Sequence, residues 1–288
     1  MIKIIWLLKF RIICLHKRVY YKFMPGFISR RLKSLGFKKE KKCRTFLLPK
    51  QLPKKIWMYW AQGWRNAPLM IKRCRDSWIE NNPNWEIIFL TDNNLLQYTD
   101  IQNLFFDKNM SKNHRADLLR LNLLKKYGGV WVDATTYCER PLDHWLLNLM
   151  QSGFFAFQSP EPDRKVSSWF LASIPENKLV SKWLDLSMVY WKNTFRADHY
   201  FWLHYMFEEV LKKSFICKKI WRLTPKLSSD GPHIVQKFFR GRRIDVNYLN
   251  YLLVEKIIPV YKFSRKVPFS KTVELGTALE KLVRKVNG

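Results

Sequence analysis

Acidic residues are scarce in this chain. Its 288 residues include 23 aspartates and glutamates against 52 lysines and arginines, which gives a formal net charge of +29. The excess is concentrated at the N-terminus, where residues 1–44 hold 14 basic residues and a single acidic one, Glu40. The rest of the chain still carries a net charge of +16. A field of this sign favours anionic partners such as phospholipid surfaces, nucleic acid or phosphorylated substrates.

Cysteine is also sparse. The chain has five cysteines, an odd number, and they are widely spaced with no C-x-x-C pair. This pattern argues against both a disulfide framework and a zinc site, and it favours a reducing compartment. We expect buried or incidental thiols at all five positions: Cys14, Cys43, Cys74, Cys138 and Cys217.

Long apolar runs are missing too. Near the N-terminus Lys9 and Arg11 interrupt the apolar residues far short of the roughly 20 needed to span a bilayer. No small-residue cleavage site follows, which makes a signal peptide a poor fit. For the N-terminal arm and linker (residues 1–50) we expect an interfacial helix whose basic side chains meet lipid phosphates. The alternatives are a solvated basic tail or a helix packed against the rest of the chain.

What the chain does contain is the pattern of an α/β domain. Strands are predicted at 55–60, 85–91 and 130–132, and they alternate with helices at 68–81 and about 114–127. This order predicts a mostly parallel central sheet with helices on both faces. Later segments predict a helix around 142–150, strands at 154–158 and 168–174, and helices at 177–193, about 200–214, 230–239 and 272–286. We divide the chain into the arm (1–50), a nucleotide-binding α/β domain (51–262) and a C-terminal helical extension (263–288).

Residues 114–138 are the most informative stretch. Leu118, Leu121 and Leu124 recur every three residues, which places one helix face in a core. Two glycines then supply the left-handed backbone that ends a helix. The short apolar strand that follows ends at Asp133. Since ligands of open α/β sheets bind beyond the carboxyl ends of the strands, Asp133 is well placed for chemistry.

The first strand is rich in aromatic residues. Alternation places Trp57 and Tyr59 on one face of the sheet, and Met58 and Trp60 on the other. Either Tyr59 or Trp60 could stack on a nucleobase, and packing in the core is the alternative for both. Gln62 lies in the loop that follows, where the backbone can approach a nucleotide.

Several separated motifs resemble known sugar transferases. The pattern (S/A)D-x-x-R…GG-x-(Y/W)-x-D of glycosyltransferase family 32 matches Ala116-Asp117, Arg120, Gly128-Gly129, Trp131 and Asp133. The related bacterial capsular polysaccharide synthesis proteins are closer still. Their opening P-K-x-I-W-x-Y-W-x-Q-G-W-x-N-A-P is similar to residues 53–68. The similarity runs from about residue 50 to about 240, and it implies a GT-A-like domain.

The resemblance also implies roles for individual residues. Asp117 would contact the ribose or sugar hydroxyls, and Arg120 the sugar or the diphosphate. Because the two are three residues apart, they share one side of a helix. An intrahelical ion pair on a solvated face is the alternative. His233 follows a Gly-Pro pair like the segment that covers the diphosphate in the family, where it could contact phosphate or metal, and a structural histidine is the alternative.

In the resembling family, two aspartates one residue apart hold Mn²⁺ or Mg²⁺, which neutralises the leaving diphosphate. Here the sequence is Asp133-Ala134-Thr135, so Thr135 stands in place of the second carboxylate. A neutral hydroxyl is a weak ligand for a hard cation. We therefore expect either a metal held by Asp133 with help from a distant ligand, or basic residues that take over part of its role.

Taken together, these features predict a nucleotide-sugar-dependent glycosyltransferase with catalytic residues Asp133, Asp117 and Arg120. Donor contacts are expected from Tyr59, Trp60, Gln62, Thr135 and His233. The acceptor would be a growing or lipid-linked glycan, and the location the cytoplasmic face of the membrane. The resemblance implies an acceptor side at Asp163, Arg164 and residues 167–169, whereas His199 and His204 are expected in the core. The alternatives are a pseudoglycosyltransferase or a non-catalytic basic protein that binds membrane or nucleic acid. No nucleic-acid-binding motif appears, so we expect no such partner.

Overall fold

A five-stranded sheet with helices on both faces forms the centre of the structure. The computed structural model describes residues 51–99, 101, 110–161, 163–194, 196–264 and 277–287. The strands are β1 (Lys55–Tyr59), β2 (Glu86–Leu90), β3 (Gly129–Asp133), β4 (Thr136–Cys138), β5 (Phe154–Glu161), β6 (Arg164–Ser173) and β7 (Val260–Lys262). The helices are α1 (Leu69–Asn81), α2 (Lys112–Lys126), α3 (Lys178–Lys192), α4 (Trp202–Lys213), α5 (Phe215–Leu223), α6 (Ile234–Phe239), α7 (Val246–Val254) and α8 (Ala278–Asn287).

The sheet is mostly parallel, as predicted. Its strand order is β2-β1-β3-β6-β5, and β1 is parallel to both β2 and β3. Strand β6 is antiparallel to its neighbours β3 and β5, so the other four strands run in one direction. At the carboxyl edge Tyr59 of β1 is in register with Asp133 of β3. Two of the predicted site residues therefore lie side by side at the edge where ligands bind.

Alternating side chains of the strands divide the core into two layers. Trp57, Tyr59 and Trp131 pack against α2, α3, α4 and α5. Met58 and Val132 face the other way, toward α1, α6, α7 and α8. The predicted alternation in the first strand and the predicted helices on both faces are confirmed. The terminal helix α8 packs on the body of the domain, with Leu279 and Leu282 buried.

Helix α2 is fixed at both of its ends. The Ser111 hydroxyl accepts a hydrogen bond from the His114 backbone N–H at 3.3 Å, so the helix begins two residues before its predicted start. It ends before Gly128 and Gly129, which have φ of +68° and +91°. The Trp57 indole N–H donates to the carbonyl of Gly128 at 2.9 Å. This bond ties the end of α2 to β1.

Several sequence-based assignments were wrong. The helix expected at 142–150 is two 3₁₀ turns, Leu142–His144 and Leu147–Leu149. Between them Trp145 has a non-helical φ of −144°, and the centre of its ring lies 5.5 Å from that of Phe170, a contact that interrupts the helix. The strands expected at 154–158 and 168–174 are confirmed but are longer than predicted. They form one hairpin, in which Phe154 is in register with Ser173 and Glu161 with Arg164.

Other elements were not predicted at all. They are helices α5 and α7 and the small sheet of β4 and β7. Cys74, Cys138 and Cys217 are buried free thiols, as expected. Among the described residues, no helix combines the length and the apolarity that crossing a membrane requires. The predictions for the arm, including Cys14 and Cys43, lie outside the described residues.

Gly129 is the position at which substitution should damage the fold most. A Cβ there would lie 2.5 Å from the Lys55 carbonyl oxygen, and the φ of +91° is strained for any other residue. Gly241 has a similar φ of +85°, but a Cβ there would meet nothing within 4 Å. We expect Gly241→Ala to cost about 1–2 kcal/mol of the free energy of unfolding, the cost of left-handed backbone alone. Gly129→Ala should cost about 1–3 kcal/mol more, because it also overpacks β1.

Chemical denaturation of both variants measures the difference. Equal losses in the two variants would show that the close approach of β3 to β1 does not constrain the sheet.

Candidate functional site

A cavity of about 740 Å³ opens at the carboxyl ends of β1 and β3. Its walls come from the first loop after β1, helix α2, the β5–β6 hairpin, the start of α4 and the segment around α6 and β7. All eight residues predicted for the site line this one cavity: Tyr59, Trp60, Gln62, Asp117, Arg120, Asp133, Thr135 and His233. The structure therefore brings the whole predicted set together, and the role of each residue stays a prediction.

Arg120 lies at the centre of the cavity floor. Its guanidinium donates from one nitrogen to Asp117 Oδ1 at 2.5 Å and from the other to Asp133 Oδ1 at 3.1 Å. Arg120 is only 5% exposed, and its guanidinium carbon lies 5.3 Å from the centre of the Trp131 ring. The ion pair with Asp117 is thus buried within a network. An ion pair on a solvated face, the alternative considered from the sequence, does not describe it.

The environment of Asp117 favours its neutral form. Burial raises the pKa of its carboxyl to about 7, and the nearby Asp133 carboxylate acts in the same direction, whereas Arg120 favours ionisation. A carboxyl that titrates near neutrality can donate or accept a hydrogen bond to a sugar hydroxyl. Groups with such perturbed pKa values concentrate in functional sites.

Asp133 is engaged through both of its carboxylate oxygens. Oδ1 accepts from Arg120 and also from the Trp131 indole N–H at 3.1 Å. Oδ2 lies 3.6 Å from the ammonium of Lys262, which reaches the site from β7. The same ammonium donates to the Thr135 hydroxyl. Lys262 therefore joins the two residues that stand where the family has its pair of carboxylates.

A divalent cation beside Asp133 would need ligands from the residues around it. Mg²⁺ and Mn²⁺ need several free oxygen ligands, usually from more than one carboxylate. Here Asp133 Oδ1 accepts from Arg120 and Trp131, and the Thr135 hydroxyl accepts from the Lys262 ammonium. Asp133 Oδ2 is paired with that same ammonium at 3.6 Å. Across the described parts of the chain, no cluster of three or more histidine, cysteine, aspartate or glutamate side chains could hold a metal. The donor set does not fit the expected cation, which stays a prediction.

His233 lies on the opposite wall, before α6. Its Nδ1 is 2.7 Å from the Ser229 carbonyl oxygen, so this nitrogen must carry the proton and donate. Burial lowers the pKa of His233 to about 4, which keeps the ring neutral at pH 7. Its Nε2 is then an acceptor. A neutral acceptor suits a hydroxyl group better than a phosphate oxygen.

The aromatic residues predicted to meet a nucleobase differ in their burial. Tyr59 is 8% exposed and belongs to the core layer beneath the cavity, where its hydroxyl donates to Asp92. Trp60 is half-buried and continues from the end of β1 into the loop that carries Gln62. Of the two, Trp60 presents more of its surface to the cavity.

Sequence reasoning missed several residues of the cavity. Lys262 carried no signal, since it is one of 52 basic residues and its short strand V-Y-K has no distinctive pattern. His204, which the sequence places in the core, is half-buried and lines the cavity, and desolvation lowers its pKa to about 3. The hairpin residues that the resemblance places on the acceptor side also line the cavity: Arg164, Ser167, Ser168 and Trp169. The Arg164 guanidinium lies 3.6 Å from the centre of the Phe201 ring.

The sequence is similar to those of proteins that are named as glycosyltransferases. The chain is 26% identical over 161 residues to the O-glycosyltransferase braB of Annulohypoxylon truncatum, covering 48% of this chain and 38% of that protein. It is also 26% identical over 161 residues to the glycosyltransferase afumC of Aspergillus fumigatus, covering 49% and 39%. The match thus spans about two fifths of the length of these curated relatives.

Solved structures and a family model complete the comparison. The apo-form glycosyltransferase GlyE of Streptococcus pneumoniae TIGR4 aligns with a TM-score of 0.46 and 10% identity over 82% of this chain and 60% of that chain. The PaToxG glycosyltransferase aligns with a TM-score of 0.43 and 14% identity over 73% and 86%. The model of the capsular polysaccharide synthesis proteins matches residues 13–282. The chain therefore belongs to the capsular polysaccharide synthesis protein family.

Proposed function

We propose that this protein is a glycosyltransferase that moves a sugar from a nucleotide-sugar donor onto a growing or lipid-linked glycan in surface polysaccharide synthesis. Its family and the names of its relatives support the class of reaction. One observation carries the proposal for the site: buried Asp117 and Arg120 form a hydrogen-bonded network with the half-buried Asp133 in a cavity at the carboxyl edge of the sheet.

The cavity has the charge that a diphosphate needs. Among the described residues that line it, six are lysines or arginines and four carry carboxylates, so cations are in excess there. Arg120 and Lys262 are the two cations that the carboxylate of Asp133 holds in place. A bound diphosphate would lie against them. In this arrangement the protein supplies positive charge where the leaving group develops its negative charge.

The donor sugar would lie between the carboxylates and His233. Asp117 and Asp133 accept from sugar hydroxyls, and the Nε2 of neutral His233 can accept from another. The nucleoside would extend toward Trp60 and Gln62, whose loop follows β1. The open side next to Arg164 and Trp169 is left for the acceptor. This placement brings the acceptor hydroxyl and the anomeric carbon together, which is the entropic part of the catalysis.

A purely binding protein is the rival. The arrangement of the carboxylates argues against a nucleic-acid-binding role, because Asp117 and Asp133 lie among the cations that would have to meet the phosphates. A pseudoglycosyltransferase would bind the donor without turning it over. Donor turnover separates these cases from the proposed enzyme.

The first test is a panel of nucleotide sugars presented to the full chain. We expect one donor to raise the melting temperature and to be hydrolysed slowly in the absence of acceptor. Asp133→Asn keeps the shape of the side chain but removes the charge that positions Arg120 and Lys262, so kcat/KM for that donor should fall at least 100-fold. That loss corresponds to about 2.7 kcal/mol of transition-state stabilisation.

A matched control is Asp185→Asn, because Asp185 also pairs with a lysine but on the exposed surface of α3. Its kinetics should equal those of the unchanged protein. Stabilisation by a donor without any turnover would identify a pseudoenzyme, and full activity in Asp133→Asn would reject the site.

The lipid-linked acceptor and the basic arm lead us to propose that the protein binds the cytoplasmic face of the membrane. Residues 1–44 hold 14 lysines and arginines, and each one near an anionic surface contributes about 1 kcal/mol at low salt. Deletion of residues 1–44 should release the protein from anionic phospholipid vesicles while donor hydrolysis survives.

Sedimentation with vesicles of anionic and of neutral lipid measures this binding. Added salt should weaken it, since exposed charges are screened beyond about 10 Å at 0.1 M. Binding that resists both high salt and high pH, and yields only to detergent, would contradict a peripheral attachment.

A further inference from the structure

We propose that Lys262 takes the place of the divalent cation: its ammonium, with Arg120, neutralises the departing diphosphate, and the enzyme works without a metal. The inference rests on the proposed function and adds the residue that performs its charge stabilisation. It starts from a juxtaposition in the structure. Lys262 Nζ lies beside Asp133 and donates to Thr135, the residue that stands where the family has its second carboxylate.

The ammonium of Lys262 lies where a metal-bound relative would have its cation. The ammonium is 3.6 Å from Asp133 Oδ2, donates to the Thr135 hydroxyl and lies 3.4 Å from the Phe263 carbonyl oxygen. A metal held by two carboxylates at positions 133 and 135 would occupy this same space between them. The lysine therefore supplies a positive charge at the point where a dication would otherwise bind.

The Lys262 ammonium also excludes a divalent cation from the space beside Asp133 and Thr135. A dication at this point would lie within a few ångströms of an ammonium, and like charges at that distance repel strongly. It would also have to compete for its ligands, because Asp133 Oδ1 accepts from Arg120 and Trp131 and Asp133 Oδ2 is paired with the ammonium. Thr135 supplies a single hydroxyl, which already accepts from Lys262. Metal and lysine thus compete for one place, and the chain contains the lysine.

Lys262 is held in position by the backbone around it before any ligand binds. The backbone N–H of Lys262 donates to the Pro232 carbonyl at 2.8 Å, and Lys262 is in register with Thr136 of β4. The next residue, Phe263, donates its N–H to the Thr135 carbonyl at 2.9 Å. The lysine is therefore fixed from two sides, and its side chain is 15% exposed. A fixed cation stabilises developing charge without the cost of reorganisation.

The transfer step balances with these groups alone. The bond between the anomeric carbon and the diphosphate oxygen breaks, and its electron pair stays on the diphosphate. The acceptor hydroxyl oxygen forms the new bond to that carbon and releases its proton to solvent. Lys262 and Arg120 meet the charge that appears on the diphosphate, and neither gives up a proton. No oxidant, reductant or metal is needed.

The experiment measures binding of nucleoside diphosphates to the full chain by calorimetry. UDP, GDP, ADP and CDP are the probes, each titrated in excess EDTA and again with Mn²⁺ after the chelator has been removed. We expect one of them to bind in EDTA within threefold of its affinity with Mn²⁺. A requirement for Mn²⁺ would overturn the inference and needs no variant, so the test holds even if substitutions at Lys262 prevent folding.

Variants at position 262 test whether the Lys262 ammonium is the charge that binds the diphosphate. Lys262→Met keeps the length of the stem and should weaken nucleoside diphosphate binding in EDTA at least 30-fold, while binding of the matching nucleoside changes little. Lys262→Arg keeps the charge. It should therefore restore at least a third of the binding free energy that Lys262→Met loses. Lys256→Met is the control, because Lys256 pairs with Glu139 on the exposed surface before β7. Unchanged diphosphate affinity in Lys262→Met would overturn the inference.

A double variant tests the competition directly. Lys262→Met combined with Thr135→Asp removes the ammonium and restores the second carboxylate, so diphosphate binding should become dependent on Mn²⁺. Absence of this dependence in the folded double variant would count against a shared place for lysine and metal.

Failure of the proposed nucleotide-sugar function would give a different result from failure of the role of Lys262. If the unchanged protein binds no nucleoside diphosphate in either condition, the nucleotide-sugar function itself is rejected, and the inference with it. Binding that needs Mn²⁺ rejects only the role of Lys262.

Discussion

Arg120 joins helix α2 to strand β3 through two carboxylates, one from each element. The guanidinium is buried, and both of its terminal nitrogens donate to these carboxylates, whereas its Nε has no hydrogen-bond partner among the described residues. The removal of one partner from such a buried charge network costs several kcal/mol. The relative position of α2 and β3 is therefore set by charge as well as by packing. The leucines of α2 place the helix on the sheet, and Arg120 determines which turn faces the edge. The site and the core share this residue.

The opposite wall of the cavity comes from a distant part of the chain. Strand β7 pairs with β4, and Pro232 accepts from the backbone of Lys262. The segment with His233 and the strand with Lys262 thus form one unit against the end of β3. The first half of the chain supplies carboxylates and Arg120, whereas the second half supplies the further cation and a neutral histidine. The chemistry that the site can perform depends on the contact between these halves.

Local patterns predicted much of this structure. The spacing of Leu118, Leu121 and Leu124, followed by two glycines, was sufficient to place α2, β3 and Asp133, because each signal acts within a few residues. The failures have a different cause. Residues 142–150 have helical spacing, but tertiary packing of Trp145 on Phe170 opens that helix. Lys262 could not be found, because its partner Thr135 is 127 residues away and no local pattern encodes such a pairing.

The pairing of β4 with β7 also has a consequence for the order in which the protein matures. A ribosome releases the chain from its N-terminus, so the five strands of the central sheet emerge by residue 173, long before Lys262. The sheet, α2 and the Arg120 network can form while the residues after 173 are still being made. Closing the loop between β4 and β7 then carries the entropic cost of a long-range contact, which makes it a late event. During synthesis the protein thus has its carboxylates in place before the lysine that balances them, and the site can be completed only after residue 262 has emerged.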